Sequence, residues 1–311
     1  MLAGAGASYL YWRAKSSIPD NDFVSLEVDY DLDSTFYQSL YFQGRYGNTQ
    51  LAINYLENKF KEQGNTEKQI SRAFNLFLDF SGIDFNDFID KQTTIRLKSE
   101  TSEIYGVAHI KEQENSDTSF VTKYQSLSAM LMFERGLYYG LEYANYEMPS
   151  ALGFSNRDLV VTHAKYDPSL GIHRLALLFG YDEMSYAARY ETNYFTHYIS
   201  GEISGGLAYL DITGNVKDEV ESSSGKTINT PTPFTFGAKL DAGFAAQRRL
   251  KALRGAGISF FVGYRVNYIS FSAEQGENLE ESEKIEEDEL SLEFERYDVW
   301  HGPFANINLV F

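Results

Sequence analysis

The chain has no cysteine in its 311 residues. That removes disulfide frameworks, thiolate metal sites and cysteine nucleophiles, and it suits a protein exposed to oxidising surroundings. Positive charge is scarce too: 27 Lys and Arg face 44 Asp and Glu, a formal net charge of −17. Such a surface does not bind a nucleic-acid backbone, which needs clustered Lys and Arg to neutralise phosphate. No apolar run approaches the roughly 18 residues of a transmembrane helix, so a helical inner-membrane protein is excluded. Met1-Leu2-Ala3-Gly4-Ala5-Gly6-Ala7 lacks a basic n-region and a full apolar h-region. It reads as the start of a mature chain, its small residues the remnant around a cleavage site.

Aromatic side chains are what the sequence has in excess. Tyr 23 and Phe 23 accompany only Trp 2, 15% in all. Tyrosine suits a position half in hydrocarbon and half at a wet headgroup, the girdle of a membrane barrel. The mean hydropathy of −0.35 is compatible with that, because only every second residue of a membrane strand faces lipid.

Strand-like stretches recur along the chain, separated by turn chemistry rather than helices, which predicts an all-β meander. Fifteen candidates are found. They are Ser8–Arg13, Phe23–Tyr30, Phe36–Arg45, Gln50–Tyr55, Thr94–Lys98, Ile104–Ile110, Phe120–Phe133, Leu137–Tyr146, Leu159–Tyr166, Ile172–Tyr181, Ser185–Thr196, Ile203–Ile212, Phe234–Ala246, Ile258–Ala273 and Leu290–Phe311. In the strongest, Ile258, Phe260, Val262, Tyr264, Val266 and Tyr268 alternate with Ser259, Phe261, Gly263, Arg265 and Asn267; Phe234 to Phe244 repeats the pattern. These stretches hold the roughly 9–11 alternating residues that cross a bilayer at a tilt. Soluble strands average about 5–6.

The final stretch, Phe304-Ala305-Asn306-Ile307-Asn308-Leu309-Val310-Phe311, alternates in the same way. Its row Ala305, Ile307, Leu309 and Phe311 has no later element to cover it, so lipid must. A terminal strand ending on Phe resembles the bacterial outer-membrane β-barrel class. The resemblance implies a closed antiparallel transmembrane β-barrel, an outer-membrane location beside lipid and lipopolysaccharide, and Phe311 as the signal read by the barrel-assembly machinery. An even count of about 14 strands is expected, within a range of 12 to 16, with Ser8–Arg13 a lead-in or half of a miscounted pair. In the last segment Leu290, Leu292 and Phe294 have the opposite parity to Ala305–Phe311. This predicts a bulge or a hairpin at His301-Gly302-Pro303.

Loop lengths set an orientation. Glu134-Arg135-Gly136 and Asp167-Pro168-Ser169 are short and read as periplasmic; 214–233 and 274–289 are long and polar and read as external. One stretch departs from the β rhythm. Thr66 followed by Gln69 forms a capping box, and Ile70, Ala73, Phe74, Phe77 and Leu78 recur at helical spacing. A helical insert over 65–90 is therefore expected to cap the outer mouth, plug the lumen, or lie at the membrane interface or against a partner; as a gate or plug it would dock through Ile70, Phe74 and Phe77.

Chemistry-bearing motifs are sparse. His197 and Ser200 are the nearest approach to a Ser–His pair, yet an offset of three puts them on opposite faces of a strand. No two histidines fall at metal-ligand spacing, and the acidic run 274–295 lacks a calcium-loop pattern, so no metal or cofactor is expected. Gly201, Gly205 and Gly206 mark a bulge or room for an inward aromatic. Gln247-Arg248-Arg249-Leu250-Lys251-Ala252-Leu253-Arg254 is the one basic cluster, placed for lipid headgroups or a periplasmic partner. The inward rows carry both charge signs: Glu27, Asp29, Arg45, Arg96, Lys98, Arg174, Lys239, Asp241 and Arg265 are the pore-lining candidates. A filled core would need them paired, because unpaired burial costs several kcal/mol; a wet lumen would not. The leading expectation is a channel for small solutes or for acidic and polar ones, ahead of a non-transporting barrel that serves as scaffold or partner subunit of an envelope complex and of an outer-membrane lipid-modifying enzyme or protease.

Overall fold

In the computed structural model the chain is a closed antiparallel barrel. The structure describes residues 2–17, 27–60, 69–82, 93–110, 118–133, 136–148, 151–154, 160–162, 170–182, 193–212, 217–218, 221–222, 225, 227–230, 232–250, 256–273 and 289–310. The strands are β1 (Leu2–Ser17), β2 (Glu27–Tyr46), β3 (Thr49–Phe60), β4 (Gln69–Ser81), β5 (Thr94–Ile110), β6 (Thr118–Met132), β7 (Leu137–Met148), β8 (Ala151–Phe154), β9 (Val160–Thr162), β10 (Leu170–Asp182), β11 (Tyr194–Ile212), β12 (Thr227–Asn229), β13 (Phe234–Arg249), β14 (Gly257–Ala273) and β15 (Glu289–Val310). Twelve of them form the wall in the order β1–β7, β10, β11, β13, β14, β15; β15 pairs back onto β1 from Leu2↔Val310 to Ser17↔Glu295 and closes the ring. Closure leaves no edge, which is what lets a sheet sit in lipid.

The strand number falls from the expected 14 to 12 because turn-like residues lie inside long strands. Asp31-Leu32-Asp33-Ser34 does not end a strand: β2 runs through it, and the β1–β2 register shifts between Leu10 and Trp12. A bulge absorbs the extra residue there. Thr94–Lys98 and Ile104–Ile110 likewise fuse into β5, and the end of Ser185–Thr196 fuses with Ile203–Ile212 in β11. Of Leu159–Tyr166 the described residues, 160–162, form the short β9, outside the ring. Ser8–Arg13 is no lead-in; with the small residues of the N-terminus it forms β1.

The helix expected over 65–90 is overturned where the chain is described, over 69–81; 65–68 and 83–90 lie outside the described residues. Gln69–Ser81 is strand β4, paired with β3 from Thr49↔Phe80 to Phe60↔Gln69 and with β5 from Arg72↔Glu103 to Ser81↔Thr94. The apolar positions fit two periods at once. Phe74, Leu76, Leu78 and Phe80 also alternate, and a short apolar run does not tell a strand from a helix. Partner strands on both sides decide it.

The end of the chain departs from expectation as well. Neither bulge nor hairpin occurs at His301-Gly302-Pro303, because β15 keeps one register against β1 and against β14 throughout. Leu290 and Leu292 lie where β15 has run past its ladders with β1 and β14, and Phe294 forms the last rung against Ala273, so the parity of the first two need not match the lipid-facing row. Gly302 is needed in place: a Cβ there would collide with the carbonyl oxygen of Tyr9.

Following the strands alternately up and down puts β2–β3, β4–β5, β6–β7, β10–β11 and β13–β14 connections at one end with both termini. The β2–β3 turn there is Gly47-Asn48, with Gly47 at φ 57. The strand ends joined by the longer connections, β7 to β10, β11 to β13 and β14 to β15, are at the other, the long-loop end. Asp167-Pro168-Ser169, expected as a short periplasmic turn, lies outside the described residues. On one side the wall loses strands with height. β2 and β5 pair directly from Val28↔Ile110 to Asp31↔Val107, beyond the point where each leaves the β3–β4 hairpin.

Candidate functional site

The two rows of each strand have opposite chemistry. Leu175, Leu177 and Phe179 of β10 are 56–68% exposed, and Leu127, Leu141, Ile203, Leu207, Leu240, Val262 and Ile307 continue the outward belt. It also carries two clusters of polar aromatics. Tyr143 and Tyr209 flank His173, and Tyr11 and Tyr264 flank His301, with Tyr143 and Tyr264 hydroxyls 2.9 and 2.6 Å from the His Nδ1 atoms. A closed ladder with an apolar outside and a polar inside is built for lipid. The fold, a closed antiparallel barrel with an apolar outer belt, is the one that the resemblance of the terminal strand implied.

Inside, the wall carries a connected set of ion pairs. Toward the short-turn end, Arg96 of β5 places Nε 2.7 Å from Asp79 Oδ1 and Nη2 2.9 Å from Asp79 Oδ2; its Nη1 reaches Asp182 of β10 at 2.9 Å. Gln50 donates to the same Asp79 carboxylate, and Ser200 donates to Asp182. One step along β5, Lys98 meets Glu100 at 2.8 Å. Lys239 of β13 lies 2.9 Å from Glu202 of β11 and 3.9 Å from Glu100, while the Tyr138 hydroxyl donates to Glu202 at 2.7 Å. Arg174 of β10 ties four neighbouring strands: it donates to Glu142 of β7 at 2.6 Å, Ser204 of β11 at 2.7 Å and Thr235 of β13 at 2.8 Å. Arg265 of β14 and Asp241 of β13 form a two-point pair at 2.8 and 2.9 Å, and Arg296 and Asp298 do the same along β15. Rings cover the cations from one side, Phe77 against Arg96 and Lys98, and Phe304 against Arg265.

Between these walls lies a cavity of about 490 Å³, bordered by the ion pairs and by Tyr41, Tyr124, Tyr138, Tyr146, Phe261 and Trp300. Its size is that of a site for one small molecule rather than of a wide aqueous bore. At the long-loop end an apolar cluster fills part of the interior: Met148, Leu170, Ile172, Leu210, Ile212 and Phe271 are all at most 4% exposed.

The mouth above that cluster is crossed by chain. β8 begins three residues after β7 ends, yet it pairs with β15, Gly153↔Glu293 and Phe154↔Leu292. In the ring β7 and β15 are separated by β10, β11, β13 and β14 on one side and by β1–β6 on the other. The β8–β15 pairing therefore brings the chain that follows β7 to a strand that is not its neighbour in the ring. β9 pairs with β8, and β12 adds in parallel to the other part of the β15 extension, Thr227↔Glu289 to Asn229↔Ser291. These short strands form a small sheet at the long-loop mouth.

Of the pore-lining candidates, Arg96, Lys98, Arg174, Lys239, Asp241 and Arg265 border the cavity, all of them ion-paired. Arg45 does not join them: it sits exposed at the β2–β3 turn and donates to the Gly47 carbonyl. The side chains of Glu27 and Asp29 lie outside the described residues, as do those of Ile70 and Phe311. The gate candidates Phe74 and Phe77 fall on different faces of β4, Phe74 outward and Phe77 against the luminal cations, since β4 is a strand. His197 faces outward and Ser200 inward, as their offset requires. No register shift occurs at Gly201–Gly206. The aromatic-over-glycine arrangement occurs elsewhere, where the Tyr198 phenol lies over the facing pair Gly243 and Gly263.

Sequence reading missed the partner acids. Asp79 was hidden in the helical reading, and Glu100, Asp182 and Glu202 sat just past strand boundaries drawn too tightly. Glu142, Arg296 and Asp298 share the inward parity of their strands, a signal that alternation alone could have supplied. The acidic run from 274 to 288 lies outside the described residues. Among the described residues no group of three His, Cys, Asp or Glu side chains is arranged to hold a metal ion.

No protein-family model matches the chain, and no curated protein matches it. Among solved structures it is similar to the outer membrane protease OmpT from Escherichia coli, at 7% identity and a TM-score of 0.35, over 100% of this chain and 96% of that one. It is also similar to the TodX ΔS2S3 mutant, a monoaromatic hydrocarbon channel, at 8% identity and a TM-score of 0.30, over 99% and 90% of the two chains.

Proposed function

We propose that this barrel resides in the outer membrane and passes one class of small solute through a narrow lumen barred at its long-loop mouth by β8 and β9. The observation that carries this reading is the pairing of β8 with β15, which lays a short removable strand across the mouth of a barrel that holds a cavity. A four-residue strand with two paired residues on the wall is a weak attachment, as an element that moves during passage must be.

The lumen does not favour acidic solutes. Among the described residues its ion pairs join six cations to seven carboxylates, each held by a partner of opposite sign. Paired charges beside aromatic rings suit a zwitterionic or amphipathic molecule, whose polar and apolar parts both find complements. The scaffold reading is favoured by a separate observation: Arg174 and Arg296 are almost wholly buried and fully engaged, as in a filled core.

Planar-bilayer current and vesicle swelling separate the two. Replacing 151–162 by a short Gly-Ser linker is expected to raise current severalfold and to speed the entry of small neutral and zwitterionic solutes. Neither current nor swelling from a correctly inserted deletion variant would refute passage and leave the scaffold.

A further inference from the structure

We infer that the outward face of the β11–β13–β14 wall, at the short-turn end, binds a single anionic glycerophospholipid. Its phosphate sits on Arg248 and one acyl chain lies over Ala246.

The outward row of β13 runs Phe244, Ala246, Arg248 toward the short-turn end. Ala246 is flanked in register by Phe195 of β11 and by Phe260 of β14, and Arg248 by Ile258. A methyl group between two phenyl rings makes a trough, and Phe195 stacks on Phe244 to close its far end, with centroids 5.8 Å apart and planes 8° apart. The trough is the cavity of about 610 Å³ bordered by Phe195, Ala246, Arg248, Ile258 and Phe260. Phe195 is 76% exposed and Phe260 40% exposed, so this apolar surface has no cover from the described protein.

The charge sits where a headgroup would. Arg248 is exposed and directly continues the apolar row, so its stem can lie on Ile258 while its guanidinium reaches the interface. Every luminal arginine described above is held by a carboxylate; no ion pair to a described residue is found for Arg248. A guanidinium matches a phosphodiester in a planar, two-point geometry. Beside it the backbone N–H of Arg249 donates to the Asn193 side chain at 2.6 Å, fixing the β11–β13 base on which the trough is built. An acyl chain alone would not need the arginine, and free phosphate would not need the trough. The two together specify a lipid.

The test uses the purified, folded barrel in detergent, with phosphatidylglycerol or phosphatidylcholine added and bound lipid counted by native mass spectrometry. One phosphatidylglycerol is expected to be retained in preference to phosphatidylcholine. Arg248→Gln should reduce that retention about fivefold, the usual worth of one basic residue at an anionic surface. Ala246→Leu, which fills the trough from the lipid side, should reduce it while leaving the heat-modifiable band of the folded barrel unchanged. Inorganic phosphate at the same concentration should not displace the lipid. Equal retention of the two lipids, unchanged retention in Arg248→Gln or in Ala246→Leu, or displacement by phosphate would each overturn the inference. None of these readouts depends on whether the lumen conducts.

Discussion

Replacing Arg174 by Met asks whether the lumen is a core or a water-filled bore. The substitution keeps most of the side-chain volume and removes the charge. Glu142 is then left 3% exposed with its 2.6 Å partner gone, and the Ser204 and Thr235 hydroxyls lose their donor. An uncompensated charge in such a site costs about 3–5 kcal/mol. Taking the partner away as well, in Glu142→Leu with Arg174→Met, should restore stability to within about 1 kcal/mol of the parent, because buried pairs replaced by apolar residues are often neutral. The assay is urea unfolding from lipid vesicles, followed by tryptophan fluorescence and by gel mobility of the folded band. A loss below about 1 kcal/mol for Arg174→Met alone would refute the reasoning. It would mean that water solvates Glu142 freely, as in an open pore where exposed pairs are worth little.

Other consequences are equally direct. Arg96→Met should destabilise more than Arg265→Met, because Arg96 holds two carboxylates and Arg265 one; urea midpoints compare them. Gly263→Leu should lower the unfolding midpoint, since a side chain there would collide with the Tyr198 phenol and the Ala242 carbonyl, and Tyr198→Ala in the same background should recover part of the loss. Extending β8 by a disulfide between Gly153→Cys and Glu293→Cys should hold any current at the basal level, and reduction should release it; equal currents in both states would detach β8 from gating.

The barrel fold was legible because a wall with an apolar outside and a polar inside imposes a period of two on every strand. Phe234–Phe244 and Ile258–Tyr268 show it, and of their predicted outward rows Phe234, Phe236, Leu240, Phe244, Ile258, Phe260, Val262 and Tyr264 are exposed. The strand number was not legible, because Asp31–Ser34 and the polar Ser99–Glu103 look like turns until neighbouring strands hold them extended. β4 was misread for the same reason: Ile70 to Phe80 satisfies either period, and only β3 and β5 choose between them. Six of the nine luminal candidates could be found from parity. Their partners lie on other strands, and pairing across strands depends on register, which no single stretch of sequence reports. The bar across the mouth was the least visible element, because β8 has four residues and its meaning lies wholly in what it reaches.

The direct pairing of β2 with β5 bears on that bar. Each strand in a barrel wall adds about 4.8 Å to the perimeter, so dropping β3 and β4 from the wall on that side takes about 10 Å out of the hoop. A shorter hoop draws the facing walls together, since barrel diameter follows strand number. The vessel is therefore tapered, wider in the membrane than at its rim. An opening narrowed in this way needs only a latch, and four residues are enough to make one.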